Sequence, residues 1–380
     1  MSTVAERAQH AASLAPAFGV YVHVPFCPSK CPYCDFNTYV GLEPLAPAYL
    51  HALVCEAEMW KSRHELAEAG SYFIGGGTPT MLDEHLVAST LKDLVSIFGA
   101  AEDCEVTVEA NPETCDASRL AFLREAGVNR LSIGGQSFSN NVLQLLGRRH
   151  SAEATRRAVR EARAAGFDNV SLDLIFGMPG ETDAEWNRSL IEAVALEPDH
   201  ISCYALTIES GTAFGADVAA GRMPSPDDDV QAVRYETALD VLSAAGYRHY
   251  EISNWGLPSR HNLIYWTQGS YAGLGAGAHS HVDGVRSWNR KNPRAYAESP
   301  TAMREGEERL DDRERAVEWL QLRLRLVDGI DLNEASKRMG RDLRPAAEAL
   351  GGIVSIDGDL MTLTRRGLLI ENEVAIRLTA

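Results

Sequence analysis

Between residue 18 and about residue 250 the chain alternates short apolar runs with charged, helically periodic stretches, and few architectures accept that order. FGVYVHV, YFIGG, CEVTVEA, RLSIGG, NVSLDLIFG, HISCYAL and HYEIS have the apolar continuity of strands buried on both faces. The segments 44–64, 83–98, 116–126, 152–165, 183–196 and 227–245 carry the 3.6-residue period of helices packed on one face. Strand, helix, strand at this spacing predicts a parallel α/β sheet with right-handed crossovers, and six or more such units predict a full or partial (β/α) barrel. In barrels of this kind chemistry sits at the C-terminal ends of the strands. The unusual residues fall there. Cys27 follows the first strand, GGGTP (75–79) the second, and Glu109 and Asn111 end the third. GGQSF ends the fourth, and Asp173 to Pro179 the fifth. Packing alone has no reason to prefer one end of the strands.

The remainder divides into three parts. Residues 1–17 lack the basic and apolar regions of a secretory signal and read as a short leader ahead of the barrel, 18–252. Residues 253–300 are rich in Gly, Trp, Tyr, His and Asn with weak periodicity, and read as irregular structure closing one side of the barrel. Residues 301–380 read as a small helical domain with a wing-like hairpin, its strands LMTLT and AIRL around RRGLLIENEV, that covers the barrel mouth or docks a partner. No apolar run approaches the length of a membrane span. A net charge of −17 repels phosphate backbones and argues against nucleic acid as partner; an anionic ligand would need a locally basic pocket.

Seven cysteines, an odd number over a long chain, do not make a disulfide framework and suit a reducing cytoplasm. Cys55, Cys104, Cys115 and Cys203 are scattered and read as small buried apolar residues. Cys27, Cys31 and Cys34 instead crowd into YVHVPFCPSKCPYCDF with CxxxCxxC spacing. Soft thiolates hold iron–sulfur clusters, and three of them leave one iron of a cubane without a protein ligand. A structural zinc site would need a fourth Cys or His, for which His23 is the neighbour in sequence.

This segment, with its Tyr-x-His-x-Pro-Phe lead, resembles the radical SAM superfamily and, within it, the oxygen-independent coproporphyrinogen III oxidase-like (HemN-like) family, over nearly the whole chain. The resemblance implies a [4Fe–4S] cluster on Cys27, Cys31 and Cys34, with S-adenosylmethionine (SAM) on the open iron in a partial radical SAM barrel. It also implies SAM contacts from the glycine motif Gly75, Gly76, Gly77 and Thr78, and from Glu109, Gln136, Arg148 and Asp173, with Tyr21 beside the cluster. The chemistry suits those types: arginine for a carboxylate, acids for ribose hydroxyls or an ammonium. GLGAGAHS (273–280) resembles a family turn near the SAM site.

Two departures point away from the oxidases. They continue the motif as CxxxCxxCxC, where this chain has Phe36, and HNLIYW (261–266) resembles the HNxxYW motif of the HemW branch, regarded as haem chaperones. That resemblance implies binding of haem or a porphyrin and its transfer to an acceptor protein, with an electron donor such as flavodoxin or ferredoxin. His261 is the expected haem ligand, His279 and His281 are its rivals, and Tyr265 and Trp266 could flank the macrocycle. Two enzymatic readings stand beside it: decarboxylation of coproporphyrinogen III to protoporphyrinogen IX, and a radical SAM methyltransferase.

Overall fold

The computed structural model describes residues 12–302 and 304–380; residues 1–11 of the expected leader lie outside them. Twelve strands form one sheet: β1 Phe18–Val24, β2 Ala69–Gly76, β3 Ala100–Ala110, β4 Arg130–Gln136, β5 Val170–Phe176, β6 His200–Ala205, β7 His249–Glu251, β8 Asn254–Gly256, β9 Ser270–Leu274, β10 His279–Val282, β11 Val285–Asn289 and β12 Arg304–Arg309. Three more, β13 Ile330–Asp331, β14 Val354–Asp357 and β15 Leu360–Leu363, form a small separate sheet.

The large sheet runs β12-β11-β10-β9-β1-β2-β3-β4-β5-β6-β8-β7. From β9 to β6 every pairing is parallel, and the outer pairings are antiparallel. No pairing joins β12 to β7 among the described residues, so the barrel is open. β1 is largely buried on both faces, as its unbroken apolar run requires: Val20, Val22 and Val24 on one face are at most 1% exposed, and His23 on the other is buried beside a half-buried Tyr21. Helices Glu84–Phe98, Ala117–Glu125, Ala152–Ala164 and Asp183–Ala195 each start on a side-chain cap, from Asp83, Asp116, Ser151 and Thr182 respectively. Such a cap is worth about 1 kcal/mol and fixes where the chain turns back to the sheet.

Three expectations change. The stretch 253–300 is not irregular. It holds β8, helix Arg260–Trp266, β9, β10, β11 and helix Pro293–Glu298, and β9 extends the parallel sheet beside β1. These elements run only three to seven residues and carry inward polar side chains such as Ser280, Ser287 and Asn289, so no apolar period marks them. AIRL is not a strand. It lies in helix Glu371–Thr379, whose Val374, Ala375 and Leu378 pack on one face into the C-terminal core, while the hairpin pairs β15 with the upstream β14. The C-terminal domain does not cover the strand ends. It docks on β7, through Val327 N–H donating to Tyr250 O (3.2 Å) and Arg325 on Glu251 (3.2 Å), and on β11, through Glu318 on Arg286 (2.6 Å). It thus bridges the two ends of the open sheet. Of the scattered cysteines, Cys115 and Cys203 are buried, whereas Cys55 and Cys104 are only half-buried.

Candidate functional site

The loop after β1 is tied at its base. Cys27 N–H donates to Tyr39 O (3.0 Å) and Tyr39 N–H to Pro25 O (2.7 Å). The GGGTP segment is laced alongside, with Gly77 N–H on Val24 O and Thr78 N–H on Phe26 O, both at 2.8 Å. A Cβ on Gly77 would sit 2.5 Å from Phe26 O, so glycine is needed there for the two strand ends to meet. Cys27, Cys31 and Cys34 therefore share one wall of a cavity of about 430 Å³ at the C-terminal ends of β1–β6.

The facing walls hold the expected polar residues. Glu109 accepts from Gly76 N–H (2.8 Å), and its enclosure pushes its carboxyl up to about 7. Asp173 accepts from Ser202 Oγ (2.7 Å) and Ser132 Oγ (3.0 Å); burial raises its pKa too. Arg148 donates to Asn111 Oδ1 (2.7 Å) and Gly134 O (3.0 Å) and lies 3.5 Å from Cys31 Sγ. Gln136 ends β4 with φ 64°, a left-handed conformation rare outside glycine, after a break in register between Ile133 and Gln136. That kink turns its side chain to the cavity. Sequence reasoning missed Ser132, Ser202 and Tyr204. Ser132 lies two residues from Gly134 on the same face of β4, and that alternation was the available signal.

A second cavity, about 420 Å³, abuts the first, since Phe36, Gly76 and Glu109 line both. Its other walls are Tyr21, His23, Asn37, Tyr265, Tyr271, Gly277, His279 and Lys291. Tyr21 thus faces this cavity rather than the first; its hydroxyl meets His23 Nδ1 at 2.9 Å, and His23 Nε2 meets Asn37 O at 3.0 Å.

His261 lies elsewhere. Helix Arg260–Trp266 plugs the lower part of the barrel, its first N–H groups held by the buried Glu105 of β3 (His261 N–H on Oε1, 3.2 Å). The His261 ring is wholly buried, with Nδ1 2.8 Å from Ser71 Oγ and Nε2 2.8 Å from Tyr265 Oη, and it stacks on Phe73 at 5.3 Å. Burial lowers its pKa to about 3, so it is neutral. Trp266 packs under the Arg325 guanidinium at 4.4 Å, where it anchors the C-terminal domain. Of the HNLIYW rings, only Tyr265 reaches the second cavity.

A family model for the radical SAM superfamily matches residues 21–191, and one for the HemN C-terminal domain matches 310–380. The chain is 42% identical over 370 residues to the heme chaperone HemW of Mycobacterium tuberculosis, covering 94% of this chain and 93% of that one. The chain belongs to the HemW family of radical SAM proteins. HemW of Bacillus subtilis is 35% identical over 93% of this chain and 97% of its own. The fold is that of Escherichia coli HemN, a coproporphyrinogen III oxidase, at a TM-score of 0.82 and 21% identity over 100% of this chain and 94% of that one.

Membership of this HemW family implies a [4Fe–4S] cluster and SAM, and the first cavity fits both. No three Cys, His, Asp or Glu side chains among the described residues gather as a single metal ion would need. Cys27, Cys31 and Cys34 all line the cavity, and thiolates are the ligands such a cluster takes. Gln136 Oε1 and Arg148 Nε are buried without a partner, and both side chains line the cavity. Such groups are costly unless a ligand or water completes them. Among the described residues no helix is long and apolar enough to cross a membrane.

Proposed function

We propose that this protein is a haem chaperone. It binds a [4Fe–4S] cluster through Cys27, Cys31 and Cys34 and SAM in the adjoining cavity, and it passes haem to an acceptor protein, with flavodoxin or ferredoxin as reductant. The observation that carries the reading is the near full-length similarity to relatives named as heme chaperones. Phe36 supports it, standing exposed between the two cavities where the oxidase pattern has a further cysteine.

Within this reading the cluster and SAM together supply one-electron chemistry when both are bound. Thr78, 3.7 Å from Cys27 Sγ, and Arg148 beside Cys31 orient the thiolates. The raised pKa values of Cys27 and Cys34, set by burial, mean that ligation displaces protons there. Gly76, Gly77 and Thr78 line the cavity, Gly75 behind them leaves room for the Glu109 carboxyl, and Gln136, Glu109 and Asp173 offer acceptors to the hydroxyls and ammonium of SAM. Ser132 and Ser202 hold Asp173 with both oxygens accepting, so it keeps one orientation.

The test is anaerobic reconstitution of the cluster, followed by haem and coproporphyrinogen III in separate reactions with SAM and reductant. Stoichiometric haem uptake, and its delivery to an apo-acceptor, with no decarboxylated porphyrinogen is the expected result. Protoporphyrinogen with matching 5′-deoxyadenosine would overturn the reading in favour of an oxidase.

A further inference from the structure

We infer that the second cavity is the haem seat, with the His279 imidazole as ligand to the iron and the cations Arg290, Lys291 and Arg294, just before and within the first turn of helix Pro293–Glu298, as receptor for the propionates. The inference rests on the haem-chaperone reading and assigns its site.

Three imidazoles were open as ligands, and the structure separates them. Both nitrogens of His261 are engaged and its ring has no exposed surface. His281 donates Nδ1–H to Gly269 O at 2.9 Å, which leaves Nε2 open, but His281 does not line the cavity. His279 lines the cavity and is exposed, and no side-chain hydrogen bond engages its ring among the described residues. An iron ligand needs such a free nitrogen lone pair, on a ring that does not swing. Two features fix this ring. His279 pairs across the β10–β11 ladder with Trp288, and their rings stack at 5.9 Å and 25°. Gly273 lets the start of β10 approach, since a Cβ there would meet His279 O.

The rest of the cavity suits a flat, acidic macrocycle. Tyr21, Phe36, Tyr265 and Tyr271 supply aromatic faces, and about 420 Å³ lies within the usual span of small-molecule sites, roughly 300–1,000 Å³. At the rim the charge reverses against a chain of net −17. Lys291 lines the cavity; Arg290 and Arg294 flank it and are exposed, and none of the three forms an ion pair among the described residues. The turn is held in place, since Lys291 O accepts from Asn37 Nδ2 (2.9 Å) and Tyr39 Oη (3.1 Å), and Arg290 O from Gly277 N–H (3.0 Å). Two propionates are the charge complement of unpaired cations on an acidic protein. Because the two cavities share Phe36, Gly76 and Glu109, a macrocycle here would border the SAM site.

The experiment titrates the full-length chain with hemin and follows the Soret band and the EPR of the bound iron. The variants are His279→Ala, His261→Asn and Lys291→Glu. His279→Ala should shift the Soret band, alter the EPR signature and weaken haem binding about tenfold or more, with added imidazole restoring the spectrum. Lys291→Glu should weaken binding about threefold, less so at high salt. His261→Asn should melt earlier yet keep the wild-type Soret position. A folded His279→Ala protein with wild-type spectrum and affinity would overturn the assignment. Failure of the wild-type chain to take up haem would instead remove the chaperone reading itself, a result visible before any variant is made.

Discussion

The cysteine loop and the HNLIYW helix present motifs of similar sharpness in the sequence, and the structure treats them in opposite ways. The cysteines lie in a segment without regular structure, tied at its base and again at Pro32, whose carbonyl accepts from Phe214 N–H (2.9 Å), and all three face one cavity at the strand ends. HNLIYW lies on a helix inside the barrel, where neighbours claim its side chains. Ser71, the partner of His261, is the third residue of β2, five residues before Gly76 on the first cavity's wall, or roughly 16 Å along the strand. In parallel α/β barrels the strand ends carry chemistry and the opposite end carries stability. A motif therefore carries its chemistry only where the backbone leaves its side chains unclaimed.

Substituting the cysteines presses this contrast hardest. Serine at Cys27, Cys31 or Cys34 should remove nearly all of the about four irons per chain and the broad absorbance of the cluster. Circular dichroism and the melting temperature of the cluster-free protein should hardly move, because the thiols line a cavity rather than fill a core. A large loss of melting temperature in the cluster-free Cys31→Ser protein would show that the loop belongs to the core after all.

The histidine pair should divide the other way. Removing the His261 ring leaves Ser71 Oγ buried without a partner, at a cost of about 1–3 kcal/mol, takes a bond from the half-buried Tyr265 Oη, and opens a void beside Phe73. His261→Ala should therefore lose about 3 kcal/mol or more in urea unfolding. His279→Ala, at an exposed position, should stay within about 0.5 kcal/mol. Equal losses would erase the distinction between a packing histidine and a presented one.

What was legible follows the same line. Each strand from β1 to β6 announces itself through a stretch buried on both faces, the second half of β3 and the first four residues of β6 included, so apolar runs and charged helices separate cleanly. The cluster loop is legible because thiolate spacing is itself the chemical requirement. β9, β10 and β11 escaped because they are short and bury polar side chains, Ser280 and Asn289 with hydrogen bonds and Ser287 beside them, in place of apolar ones. The division of labour between His261 and His279 escaped because residue type and spacing do not encode burial, which here depends on Ser71, some 190 residues away. The helical fate of AIRL was decided by the C-terminal core into which Val374 and Leu378 pack.

The finest test lies where the two cavities meet, at Glu109. Its carboxyl is pushed up to about 7 by enclosure, against the hydrogen bond from Gly76, with the Asp173 carboxylate adding to the rise and Arg130 opposing it; Tyr21 also faces it. If Glu109 meets the positive charge of SAM, only its ionised form binds well. Below pH 7 the free protein must first lose a proton, so SAM affinity should rise about tenfold per pH unit up to about pH 7 and then level off. Equilibrium binding to the reconstituted protein from pH 5.5 to 8.5 measures this. Glu109→Gln should bind more weakly at pH 8 and lose most of the slope. Burial raises the Asp173 pKa as well, so Asp173→Asn is the matching control. A slope that survives Glu109→Gln and vanishes in Asp173→Asn would move the charge contact to Asp173, leaving Glu109 as a wall between the SAM cavity and the haem cavity.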